Sequence, residues 1–170
     1  MRSLLSTLLA HLKVLDEQIQ ALEREIVAWH RRNEDSRRLE RIPGVGPITA
    51  SALVASIGNA KNFRNGRQVA AWLGLVPAQD SSGGKTKLLG ISKHGDVYLR
   101  TLLIHGARSV LRHLKAQGDL THSWVARLVA RRNRNVAAVA LANKNARIAW
   151  ALLAHQREFE PDYVSAAPTR

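Results

Sequence analysis

A chain of 170 residues, 45% of them hydrophobic, is long enough for one domain plus an extension, and no apolar run in it is long enough to cross a bilayer. It has no cysteine, so neither a disulfide nor a thiolate zinc site can form. The net charge of +13 is unevenly spread: residues 1–40 hold seven Lys/Arg against seven Asp/Glu, residues 41–118 eleven against two, and residues 119–170 eight against four. A basic domain behind a neutral arm is the electrostatic footprint of a nucleic-acid binder rather than of a membrane-surface protein.

The first ten residues, MRSLLSTLLA, are apolar enough to imitate a signal peptide, but their register continues into a polar helix and no small-residue cleavage site follows. Leu5, Leu8, Leu12, Leu15, Ile19, Leu22, Ile26 and Trp29 alternate steps of three and four, the a/d pattern of a coiled coil. With no Gly or Pro among residues 1–32, the spacing predicts one helix there. Its stripe needs a partner, either a second copy of the chain, giving a homo-oligomer, or the same domain. A coiled-coil arm over 1–40, a helical domain over 41–160 and a flexible tail over 161–170 are expected.

In the segment IPGVGPITA (42–50) a helix ends, glycines fall at alternate positions (Gly44, Gly46) and Pro47 is placed to open a new helix that should stop at Gly58. This resembles a helix-hairpin-helix motif, in which glycines let the backbone approach a phosphate and the next helix offers free N–H groups. The plainer alternative is a packing corner. Phe63 anchors a polar link, Asn65 or Gly66 caps a short helix over 67–73, and Gly74 and Pro77 stop it.

Residues 74–96, GLVPAQDSSGGKTKLLGISKHGD, show neither a helical nor a strand period, apart from a short strand or hairpin at Lys87 to Ile91. A stretch of that length inside a domain is usually functional or disordered. Leu88, Leu89 and Ile91 favour an ordered loop that presents Ser81 or Ser82, two glycines (Gly83, Gly84) and the cations Lys85, Lys87 and Lys93. Asp96 can cap a helix over 97–114, with Leu99, Leu102, Leu103, Gly106, Val110 and Leu114 on one face. Gly106, unfavourable in a helix interior, implies a close backbone approach. A turn at 117–119, a helix over 123–131, a basic link over 131–135 and an alanine-rich helix over 136–159 complete a mainly α fold: a coiled-coil helix, then a helical domain with a helix-hairpin-helix and a glycine-rich, serine-bearing loop.

A serine can attack phosphorus when its proton is removed and cations meet the charge developing on the phosphoryl oxygens. Lys85, Lys87, Lys93 and Arg100 are the candidates for that charge, although a Ser-Ser-Gly-Gly run is most often only a flexible turn. Other chemistry is weaker. GGKT lacks the earlier glycine of a phosphate-binding loop, seven histidines have no ligand spacing, and residues 41–118 offer only Asp80 and Asp96 as acids. No metal site is expected in this chain. Tyr98 lies inside an amphipathic helix, and 5% aromatics argue against base stacking along a single strand.

The stretches IPGVGPITASALVASIG, FRNGRQVAAWLGLVPAQDSSGGKTKLLGISKHGD, YLRTLLIHGAR and VALANKNARIAWALL together resemble the transposase domain of the insertion-sequence 110/1111 family, from Ile42 to about Phe159. The resemblance implies DNA strand exchange through a serine–phosphate intermediate with Ser82, or its neighbour Ser81, as nucleophile. It also implies a noncoding guide (bridge) RNA, magnesium held by the DEDD acids of an N-terminal RuvC-like domain, and a location in the bacterial cytoplasm at the nucleoid. Residues 1–40 correspond to the tail of the family's coiled-coil segment. The expectation is that these residues alone bind DNA or structured RNA without recombining it. The alternatives are a catalytically incomplete nucleic-acid-binding fragment that dimerises with full-length transposase, and a structural coiled-coil adaptor that leaves the basic charge idle.

Overall fold

A computed structural model of the chain describes residues 2–82, 85–114 and 124–161, with side chains at 81, 82, 85–88 and 114 outside that description. The described elements are α1 (Arg2–Arg32), α2 (Glu34–Glu40), α3 (Pro47–Ile57), a 3-10 turn (Ala60–Asn62), α4 (Gly66–Trp72), β1 (Pro77–Ser82), β2 (Lys85–Ile91), α5 (Val97–Leu114), α6 (Trp124–Arg131) and α7 (Arg134–His155). The mainly α expectation holds. Among the described residues no helix is long and apolar enough to cross a membrane. The expected turn at 117–119 lies outside the described residues, as does the expected tail beyond Pro161.

The single helix expected over residues 1–32 is α1, Arg2–Arg32. Asn33 leaves the helical region and its side chain accepts a hydrogen bond from the Ser36 amide at 2.8 Å, capping α2 as a separate element. Ser36, Arg38 and Leu39 of α2 are buried. His30, 3% exposed, locks the junction: its ring shares hydrogen bonds with Ser36 Oγ at 2.7 Å and Glu40 Oε2 at 3.0 Å. Beyond that junction the seam residues Leu5, Leu8, Leu12, Leu15, Ile19 and Leu22 are exposed.

The core is organised by α7. Ala137, Ala138, Ala142, Ala146 and Ala149 are fully buried, which allows neighbouring elements to approach its backbone closely. A Cβ on Gly66, at the start of α4, would lie 2.9 Å from the Arg147 carbonyl oxygen of α7. Three longer side chains of α7 reach out to backbone carbonyls. Asn145 Nδ2 donates to Pro43 O at 2.9 Å and Asn143 Nδ2 to Leu75 O at 3.1 Å. Trp150 Nε1 donates to Ala60 O at 3.0 Å and to Phe63 O at 3.2 Å. Carbonyls in loops are the acceptors left over from secondary structure, and each buried bond removes one such liability.

Helix α5 packs beside α7 with Leu99, Leu103, Ala107 and Leu111 as its buried stripe. Its Gly106 meets the other glycine contact: a Cβ there would collide with the Gly44 carbonyl, and a Cβ on Gly44 would lie 2.6 Å from the Gly106 carbonyl oxygen. The close approach expected at Gly106 is thus a helix–turn contact. The last helix begins two residues earlier than its periodicity indicates, because Asn133 caps it, and ends at His155 with Gln156 in the left-handed region (φ +50°).

The two hairpin-turn glycines predict opposite mutational outcomes. Gly44 combines φ +86° with the α5 contact, so Gly44→Ala should cost about 2–4 kcal/mol in urea unfolding. Gly46 has φ −96° and nothing within 4 Å of where an alanine methyl group would stand, so Gly46→Ala should cost less than about 1 kcal/mol.

Candidate active site

Within the stretch 74–96, β1 and β2 form a two-stranded antiparallel ribbon, longer than the short strand or hairpin expected at Lys87 to Ile91. Pro77 lies opposite Ile91, then Gln79 opposite Leu88, Asp80 opposite Lys87, Ser81 opposite Thr86 and Ser82 opposite Lys85, with an irregularity between Pro77 and Gln79. The paired ends leave two residues, Gly83 and Gly84, between them, and these lie outside the described residues. Gly-Gly between two runs is itself a two-residue hairpin signal. The stretch 80–87 holds no apolar residue, so no alternation announced the strands.

The base of the ribbon is rigidly held. Helix α4 ends in paired bonds, Leu75 N–H to Ala70 O and Gly74 N–H to Ala71 O, both 2.9 Å, with Gly74 at φ +68°. This is a Schellman ending, which turns the chain sharply into β1. Opposite it, Ser92 N–H donates to Val76 O at 2.8 Å and Lys93 N–H to Gly74 O at 3.2 Å. Gly95 (φ +113°) packs where a Cβ would strike the Trp72 carbonyl. Asp96 then caps α5, accepting from the Leu99 amide at 2.8 Å. Leu73 and Leu75 are buried, whereas Pro77, Gln79, Asp80, Leu89 and Gly90 are exposed. β1 is six residues long, Pro77–Ser82, a reach of about 20 Å.

The structure separates the sequence candidates. Ser81, Ser82, Lys85 and Lys87 occupy the far half of the ribbon, where only the backbone is described. Lys93 is exposed at the base and left-handed, with φ +58°. Arg100 corrects the expectation of a surface phosphate contact: it is 8% exposed and donates through a guanidinium nitrogen to Leu73 O at 3.1 Å. It braces the end of α4 against α5. Gly44 is likewise turned to α5 rather than left open to a phosphate. Gly46 is exposed as the N-cap of α3, without a side-chain cap, beside a shallow cavity of about 470 Å³ shared with Arg41, His105 and Ser109. Ile48 and Thr49 follow Pro47 in the first turn, where backbone amides have no intrahelical partner.

Beside the ribbon base runs a groove of about 1420 Å³ along α7. Its walls include Pro77, Leu89 and Ile91 of the ribbon, Trp124 of α6, and the cations Arg67, Lys144 and Arg147. Lys144 Nζ sits 4.9 Å above the centre of the Trp124 ring. Sequence reasoning missed this wall and the α7 clamps. The available signal was the pair Asn143 and Asn145 in the middle of an alanine-rich helix, where a polar residue needs a partner beyond the helix. Among the described residues no cluster of three or more His, Asp or Glu could hold a metal ion.

Comparison with known proteins adds sequence kinship. The model of the family "Transposase IS116/IS110/IS902 family" matches residues 36–122, which span α2 to the segment after α5. The chain is similar to a probable family 20 transposase of Pseudomonas aeruginosa, 53% identical over 95% of this chain and 48% of that protein. It is also similar to the transposase for insertion sequence element IS1111A of Coxiella burnetii, 50% identical over 94% of this chain and 44% of that protein. A third relative, the transposase for insertion sequence element IS1328 of Yersinia enterocolitica, is 46% identical over 86% of this chain and 44% of its own length. The chain spans about half the length of these curated relatives.

Arg100→Met should lower stability by about 1–3 kcal/mol in urea unfolding, because it strips the Leu73 carbonyl of its buried donor.

Proposed function

The chain belongs to the IS116/IS110/IS902 family of transposases, and on that premise we propose that its ribbon carries the nucleophile of DNA strand exchange. The observation that supports this reading is the register. Ser82 is paired with Lys85 at the end of a ribbon whose base is clamped by α4, α5 and α7. Strand alternation puts positions 80, 82, 85 and 87 on one face and positions 81 and 86 on the other. That face joins Ser82 to two lysine positions, whereas Ser81 shares its face with Thr86. Ser82 is therefore preferred over Ser81.

In the proposed step Ser82 Oγ gives up its proton and attacks the phosphorus of a DNA phosphodiester. The P–Oγ bond forms, one bridging P–O bond of the strand breaks, and the departing deoxyribose oxygen takes up a proton. The serine ester conserves the phosphodiester linkage, so a deoxyribose hydroxyl of a recipient strand reverses the step without a nucleotide cofactor. Lys85 and Lys87 counter the charge that develops on the phosphoryl oxygens. Lys93 at the ribbon base, and the start of α3 at Gly46, contact flanking phosphates, which positions the strand without reading bases.

DNA is the proposed substrate and a noncoding guide RNA the proposed partner in target choice. Among the described residues no group of three or more His, Asp or Glu could hold a metal ion, and Asp96 caps α5. No step assigned to this chain runs through the metal. A binding module without chemistry shares the same cations and differs only at Ser82.

In a complete transposase carrying this half, Ser82→Ala should abolish the covalent protein–DNA adduct and lower strand transfer by about 10⁴-fold or more, with duplex affinity within about twofold. Ser81→Ala should retain the adduct. An adduct mapped to Ser81, or one that survives Ser82→Ala, overturns the assignment. For this chain alone, each of Lys85→Ala, Lys87→Ala and Lys93→Ala should reduce the slope of log K against log salt for duplex binding by about 0.9.

A further inference from the structure

Consecutive carbonyls at the foot of β1, from Leu73 to Val76, accept hydrogen bonds from alternating sources. Gly74 O and Val76 O accept from the backbone of the other foot, from Lys93 N–H at 3.2 Å and Ser92 N–H at 2.8 Å. Leu73 O and Leu75 O accept from side chains of the core, from an Arg100 guanidinium nitrogen of α5 and from Asn143 Nδ2 of α7, each at 3.1 Å. The first set ties the two feet to each other and travels with the ribbon. The second set ties the ribbon to the helices. We propose that Arg100 and Asn143 are positioning residues for strand exchange: they fix the angle at which the ribbon leaves the core, and with it the place of Ser82.

The foot needs a brace because its backbone is soft. Gly74 (φ +68°) and Gly95 (φ +113°), between the ribbon and helices α4 and α5, have no side chain to restrict their torsions. Leu73 and Leu75 are buried on either side of Gly74, but apolar burial is non-directional and sets no angle. Hydrogen bonds are directional, and two of them from different helices cannot both survive a rotation about Gly74. Both donors sit where a polar side chain is costly without a partner. Arg100 is 8% exposed, and its guanidinium has no carboxylate partner among the described residues. Asn143 interrupts an alanine-rich helix in which it is the poorer helix former.

The length of β1 amplifies any error at the foot. Across about 20 Å of strand, a tilt of about 3° moves the far end by about 1 Å. A misplacement of about 1 Å can cost about 10²-fold in rate. The consequence for rate rests on the strand-exchange reading; the brace itself does not.

Because the chain has no cysteine, spin labels can be placed at Leu89→Cys on the ribbon and His113→Cys on α5, both exposed. In the full chain Asn143→Leu, which removes the donor and keeps an apolar side chain of similar size, should broaden the distribution of label distances. Arg100→Met should broaden it as well. Trp150→Phe, which frees the carbonyls of Ala60 and Phe63 instead, should leave it as narrow as in the labelled parent. In a complete transposase carrying this half, Asn143→Leu should slow adduct formation at saturating DNA by about 10- to 100-fold. DNA affinity should stay within about twofold, and Trp150→Phe should keep the full rate. A distribution that stays narrow in Asn143→Leu overturns the proposal, and so does a full rate of adduct formation at Ser82 once the distribution has broadened. Failure of the unmodified transposase to form an adduct at Ser82 would count against the serine assignment, and the label distances would still decide the brace.

Discussion

The distance between backbones is the constraint on which the domain depends. Alanines along α7 and the facing pair Gly44 and Gly106 let helices and turns approach until main-chain atoms touch. At that separation there is little side-chain volume to lock the elements in place by interdigitation. Locking falls instead to directed hydrogen bonds from the few long residues of α7, which hold the carbonyls of Pro43, Leu75, Ala60 and Phe63. Small residues permit the contact and polar residues give it a register. Each needs the other, because a buried asparagine without a carbonyl within reach is a net cost.

This arrangement explains how an exposed ribbon can be positioned by an all-helical core. The ribbon itself has little to bury, and an isolated two-stranded hairpin is marginal in water. Its two ends, however, emerge from the end of α4 and the cap of α5, and both helices are fixed against α7. Arg100 and Asn143 grip the carbonyls on either side of Gly74 from two different helices. The base is stiff, and from it the paired strands continue as far as Ser82 and Lys85. The arm obeys a different logic. Its helix meets α2 and α3, with His30 buried against Ser36 and Glu40, while its seam residues from Leu5 to Leu22 are exposed.

The family kinship and the ribbon geometry bear on different parts of the reading. The family model covers residues 36–122, which takes in the hairpin turn, the ribbon and α5. The relatives at 53% and 50% identity align over 95% and 94% of the chain, so kinship reaches into α1 as well. The nucleophile is argued from register within the shared region.

Local signals were enough to read much of this chain from its residues. The helices at 47–57 and 97–114, the caps Asn65 and Asp96, and the close approach at Gly106 follow from a 3.6-residue period, short polar side chains and the absence of a Cβ, all of them properties of neighbouring residues. Contacts between distant residues were not legible. Arg100 looks like any other cation on a basic helix; only the Leu73 carbonyl, 27 positions away, turns it inward. The ribbon showed no apolar alternation because residues 80–87 contain no apolar side chain, and the junction of α1 with α2 is fixed by His30 meeting Ser36 and Glu40. Sequence patterns record what a residue does to its own helix or turn. Which carbonyl a side chain finally meets is decided by the packing of elements that the chain brings together only when it folds.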